Sequence, residues 1–133
     1  FSRFELSRAR KARLPRYILF TIDASLNGPA ADFETSPETL EHVLPENPGP
    51  GWQVFSEEDR RRFTNALGNY VLLDREQNQQ LGNAPFSKKA PLFQQSPRPT
   101  TRMAAVGEWT PQAIIERQTK LADAAVALWR MEF

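Results

Sequence analysis

At 133 residues, with 40% hydrophobic and 25% charged content, the chain has apolar material for one modest core and not for two, so a single domain over 1–133 is expected. It has no cysteine, which excludes a disulfide framework and a cysteine-built zinc site, so any metal must be held through oxygen or nitrogen. The net charge is only +1, and apolar runs such as Tyr17-Ile18-Leu19-Phe20 are too short to span a bilayer, so no membrane partner and a cytoplasmic setting are expected.

The charge is unevenly spread. In the first sixteen positions Arg3, Arg8, Arg10, Lys11, Arg13 and Arg16 face one acidic residue, Glu5. Residues 1–13 read as a basic linker or helix end of a longer polypeptide, ahead of a core over about 14–131. Arg10, Lys11 and Arg13 there are candidates for contact with a phosphate backbone, the alternative being a solvated end that packs on a neighbouring domain. From Arg16 to Leu26 the apolar positions Tyr17, Ile18, Leu19, Ile22 and Leu26 fit one helical face, stopped by Asn27-Gly28-Pro29. Residues 29–37 read as a loop and Thr39 to Leu44 as a short strand ended by Pro45. Asn47-Pro48-Gly49-Pro50-Gly51 is a surface turn.

Ser56-Glu57-Glu58-Asp59 opens a helix to about Asn65, with serine as the cap and an acidic first turn to complement the dipole. Asn69 to Leu73 is a second strand rich in β-formers, and Asp74 caps a helix through Leu81. Residues 85–95 form another helix, carrying Phe86, Lys88, Lys89 and Phe93, and residues 96–102 a loop. Thr110-Pro111 starts a last helix to Met131, whose face of Ile114, Gln118, Leu121, Ala125 and Leu128 is core or interdomain packing.

Chemistry gathers around the two strands. The single histidine, His42, follows Glu41, and Asn69 and Asn78 follow further on. A carboxylate, an imidazole and two carboxamides around short apolar runs supply a cation clamp and a proton acceptor, the equipment of a one-metal phosphodiesterase. Lys88 is a candidate for binding the phosphate or stabilising its transition state, and Lys89 for contact with DNA, although paired lysines on a helix are usually only solvated. Trp52, Trp109 and Trp129 have the faces to stack on bases, but large aromatics in a globular domain are more often core.

The order Glu41-His42-Val43-Leu44-Pro45, Leu67-Gly68-Asn69-Tyr70-Val71-Leu72-Leu73, then Asn78-Gln79-Gln80-Leu81-Gly82-Asn83-Ala84-Pro85-Phe86-Ser87-Lys88-Lys89 and a terminal helix with Arg117 and Trp129, resembles the HNH (His-Me finger, ββα-metal) nucleases. Within them it looks like the C-terminal nuclease domain of GmrSD-type restriction proteins, over most of residues 14–130. The resemblance implies a mostly helical α+β fold: a ββα-metal core with a short antiparallel hairpin and surrounding helices. It implies an endonuclease that hydrolyses DNA phosphodiester bonds, by nicking or double-strand cleavage, as effector of a modification-dependent restriction or anti-phage protein. His42 would then be the general base, Asn69 the residue that holds the loop and orients the imidazole, and Glu41 and Asn78 ligands of Mg2+ or Mn2+, with Asn65 and Asn83 in support. An N-terminal ParB-like NTPase domain would be the partner in the same polypeptide. One departure stands out: the family's histidine four residues before the middle asparagine is Asn65 here. The reading from another class is a non-catalytic module for binding nucleic acid or a neighbouring domain.

Overall fold

The computed structural model describes residues 8–26 and 36–131. Helix α1 (Arg8–Ser25) is followed by strand β1 (Thr39–His42), helix α2 (Glu57–Phe63), one 3-10 turn (Leu67–Asn69) and strand β2 (Tyr70–Leu73). Helices α3 (Arg75–Leu81), α4 (Phe86–Gln94), α5 (Pro99–Arg102) and α6 (Pro111–Met131) complete the order. The strands pair antiparallel, Thr39 opposite Leu73 and His42 opposite Tyr70. The fold is therefore α+β and mostly helical, with β1, β2 and α3 in the expected ββα order.

Local signals explain most of these elements. The Ser56 hydroxyl accepts from the Asp59 amide at 3.1 Å while the Asp59 carboxylate accepts from the Ser56 amide, a reciprocal cap that starts α2. Asp74 caps α3 by accepting from the Gln77 amide at 2.8 Å, and Thr110 caps α6 by accepting from Ala113 at 3.1 Å, with Pro111 at the first helical position. α3 stops at Gly82, whose φ of 47° suits a residue without a Cβ.

Every residue of β2 is buried because the two-stranded sheet divides two cores. Val71 and Leu73 pack with Val43, Leu44, Trp52, Phe55, Phe86, Phe93 and Trp109; Tyr70 and Leu72 pack with Leu19, Phe20, Ile22 and Leu121. Period-two alternation thus serves both faces, and burial of each large side chain contributes roughly 1.5–3 kcal/mol. The outer edge of β2 is closed by Thr101 of α5, whose hydroxyl donates to the Leu72 carbonyl at 3.0 Å and accepts from its amide at 3.3 Å.

β1 is tied down at its entrance. Arg98, 2% exposed, stacks 4.3 Å over Phe20 and forks onto the Glu38 carboxylate, while Arg16 donates to the carbonyls of Ser36 (2.9 Å) and Glu38 (3.1 Å). Asp23, fully buried, accepts from the Thr100 amide at 2.7 Å and so fastens α1 to the start of α5. Gly68 is required by close approach: a Cβ there would stand 2.4 Å from the Ile114 carbonyl oxygen.

Three expectations change. The first helix begins at Arg8 rather than Arg16 and runs through Pro15, because Ala, Arg, Lys and Leu ahead of the proline are strong helix formers. The 96–102 stretch is not all loop, since Pro99 begins the short α5. On α6, Ile114 and Leu121 are buried as expected, but Gln118 is exposed and the buried position between them is Arg117. Its guanidinium donates to the carbonyls of Gly68 and Thr100, both at 2.8 Å. The loop expected over 29–37 lies mostly outside the described residues.

Candidate active site

His42 ends β1, where the chain leaves the sheet, and this position resolves a problem of strand geometry. Consecutive side chains on a regular strand point to opposite faces. Here Glu41 and His42 nevertheless line one cavity of about 250 Å3, together with Pro45, Glu46, Asn47, Asn78, Gly82 and Asn83. Four residues singled out in the sequence, Glu41, His42, Asn78 and Asn83, are therefore brought together. Glu46 and Asn47 join them unanticipated, supplied by the turn after Pro45.

The imidazole is oriented from its far side. Its Nε2 lies 3.0 Å from Asn65 Oδ1, which also accepts from the Tyr70 hydroxyl at 3.1 Å. An amide oxygen only accepts, so Nε2 is the donor in this contact and Nδ1 is the ring nitrogen left to face the cavity. Nδ1 is 3.8 Å from the Glu46 carboxylate, on the cavity side. The Tyr70 ring packs 4.7 Å from the imidazole, as its place opposite His42 in the ladder dictates, and burial pushes its hydroxyl pKa up, so it remains a donor.

Asn69 does not touch the imidazole, contrary to expectation. Fully buried, its amide group donates to the carbonyls of Leu44 (3.1 Å) and Thr64 (2.8 Å), and its oxygen accepts from the Leu44 amide (2.8 Å) and Trp109 Nε1 (3.0 Å). It holds the loop that follows His42, while Asn65 orients the ring.

The two lysines differ. Lys88 is exposed on α4 and is not among the residues that line the cavity. Lys89 is 3% exposed, so it is not placed to meet DNA. Its ammonium donates to the Val43 carbonyl at 2.8 Å and sits 5.3 Å over the Trp52 ring, anchoring the chain just past His42. Arg13 is exposed on α1, whereas the side chains of Arg10 and Lys11 lie outside the described residues.

Burial lowers the Lys89 pKa from 10.5 to about 8, with Glu41 opposing the shift. A depressed ammonium pKa means that folding penalises the charged form. That penalty is complete below pH ~8 and is relieved between about 8 and 10.5, so this residue's contribution to stability rises with pH through that window. Measured by urea unfolding, the stability of wild type relative to Lys89→Met should climb by at most about 3 kcal/mol from pH 7 to 10.5; a flat difference would show that Lys89 is not desolvated.

Glu41 is half-buried, and its carboxylate accepts from the Thr39 hydroxyl at 2.9 Å. Burial raises its pKa, opposed by that hydrogen bond and by His42 and Lys89. Among the described residues no three side chains of His, Cys, Asp and Glu gather closely enough to hold a metal ion. The oxygen donors that do line the cavity, the carboxylates of Glu41 and Glu46 with the amides of Asn47, Asn78 and Asn83, fit a small hard cation that keeps most of its water and takes one or two carboxylates plus a phosphate.

The fold and the site together define a class: an α+β domain with a polar cavity assembled where a strand pair meets its following helix. The family model described as GmrSD restriction endonucleases, C-terminal domain, matches residues 1–124, and the chain belongs to that family, making it a restriction endonuclease domain. No curated protein and no solved structure matches it.

Proposed function

We propose that this domain is an HNH-type, divalent-cation-dependent endonuclease, with His42 as general base and Glu41 and Asn78 as the residues that hold Mg2+ or Mn2+. The observation that carries this reading is the hydrogen bond from His42 Nε2 to Asn65, which leaves Nδ1 basic beside a cavity lined by Glu41 and Asn78. Nδ1 takes a proton from water as the water oxygen bonds to phosphorus, and the bond from phosphorus to the leaving oxygen breaks, that oxygen keeping the electron pair and taking a proton from solvent water. Asn65 and Tyr70 keep the ring in the competent tautomer and stabilise the imidazolium that forms. Lys89 and Asn69 fix the backbone on which the ring is mounted. The cation, when bound, draws charge off the phosphate oxygens.

In this reading the domain is the effector of a modification-dependent anti-phage protein in the cytoplasm, and the modified base is sensed by a ParB-like NTPase domain of the same polypeptide. Incubation with supercoiled plasmid should give nicked or linear product with Mg2+ or Mn2+ and none with chelator. Cleavage that persists with chelator would remove the cation from the reaction. Retention of DNA without cleavage under any of these conditions would mark a binding module.

A further inference from the structure

We propose that the C-terminal end of α2 is a phosphate-contacting ledge, on which Arg61 and Arg62 grip the backbone of the DNA strand whose scissile bond lies at His42. The inference rests on the nuclease reading above and assigns the grip to residues outside the reaction cavity.

α2 sorts its charges by position: Glu57, Glu58 and Asp59 fill its first turn, and Arg60, Arg61 and Arg62 its last. Glutamates four residues ahead commonly pair with such arginines on a helix. Among the described residues, however, no carboxylate lies within 4 Å of any of the three guanidinium groups. Arg61 and Arg62 are exposed, and Arg62 is steadied 5.1 Å over the Phe63 ring. Arg60 lies further in, with its buried Nε making no hydrogen bond to the described residues.

The place of this cluster gives it meaning. Thr64, next after the helix, is tied through its carbonyl to Asn69, and Asn65 is the partner of His42 Nε2. The arginines are thus mounted on the segment that orients the imidazole. Arg61 stands in the last turn of α2, four positions before Asn65, which lies in the turn that follows the helix. Guanidinium suits the task, because its planar fork meets phosphate oxygens in pairs and it is weakly hydrated.

The test is duplex binding by Arg61→Gln/Arg62→Gln in chelator, across about 50–200 mM salt, where phosphate contacts appear as a slope. Loss of both arginines should lower the slope of log affinity against log salt by about 2. Affinity near 0.1 M salt should fall on the order of 10- to 50-fold. With an activating cation, KM should rise and kcat at saturating DNA should hold. An unchanged slope, or a wild-type chain without salt-dependent affinity, overturns the ledge. If wild type and variant cleave alike, only the ledge fails. If the slope falls as stated but no cation supports cleavage, the ledge stands and the hydrolytic reading fails.

Discussion

His42→Ala should lower single-turnover plasmid cleavage by about 10²- to 10⁴-fold, the usual worth of a positioned general base. The imidazole can be removed with little harm to the fold: its side chain is 19% exposed, and its ring contacts are to the exposed Asn65 and to one edge of Tyr70, whose other packing in the second core stays in place. Circular dichroism and the thermal midpoint should therefore match wild type. DNA affinity in chelator should also persist, since the reaction assigns His42 to proton transfer and not to gripping the phosphate backbone. Loss of cleavage with retained folding and binding assigns His42 to the chemical step. Cleavage within threefold of wild type would move the base elsewhere and leave the Asn65–His42 hydrogen bond without a catalytic purpose.

Asn69→Ala should damage the protein in a different way, lowering its stability by about 3–5 kcal/mol through buried groups left unpaired. The substitution strands the amide of Leu44, the indole N–H of Trp109 and the carbonyls of Leu44 and Thr64, all currently satisfied by one carboxamide. Each stranded group costs roughly 1–3 kcal/mol, and shared relaxation keeps the total below their sum. Against a typical stability of 5–15 kcal/mol the loss is large, and the thermal midpoint should drop by about 10 °C or more. Urea unfolding followed by tryptophan fluorescence checks it, because Trp109 reports directly on the lost partner. Asn83→Ala, at an exposed cavity residue, should stay within about 0.5 kcal/mol of wild type and serves as the control. A stable but inactive Asn69→Ala would instead make this residue a direct participant in the reaction.

The two predictions divide residues that the sequence presents as one motif, and the division shows where linear reading reaches. Caps are local chemistry, so Ser56, Asp74 and Thr110 announced α2, α3 and α6 close to their true starts. The convergence of Glu41, His42, Asn78 and Asn83 was legible through motif order, since a strand pair and the next helix leave few ways to meet. The partner of the imidazole was not, because Asn65 reaches it by a turn whose path depends on Gly68 packing against α6. Tyr70 was missed for a related reason: only the register of a long-range pairing places it beside His42.

The buried cations had a signal that went unread. Phe86, Lys89 and Phe93 share one stripe of α4, as Ile114, Arg117 and Leu121 do on α6, at spacings of three and four. A cation on an apolar stripe is a buried donor in search of carbonyls, and each finds them. The short α5 was hidden because four residues hold too little periodicity to register.

The supports of the imidazole are distant in sequence: Lys89 reaches Val43 across 46 positions, Trp109 reaches Asn69 across 40, and Arg117 reaches Gly68 across 49. Contacts of such separation form only after long loops have closed, so the strands cannot settle their geometry while the chain is still being synthesised through α4. A nascent chain that has emerged only as far as Leu81 already carries Glu41, His42 and Asn78, but lacks the lysine, the indole and the guanidinium that hold them in place. The cavity residues and the contacts that fix them are thus complete only once α6 has joined the fold, so a chain cut short before it holds the motif without its supports.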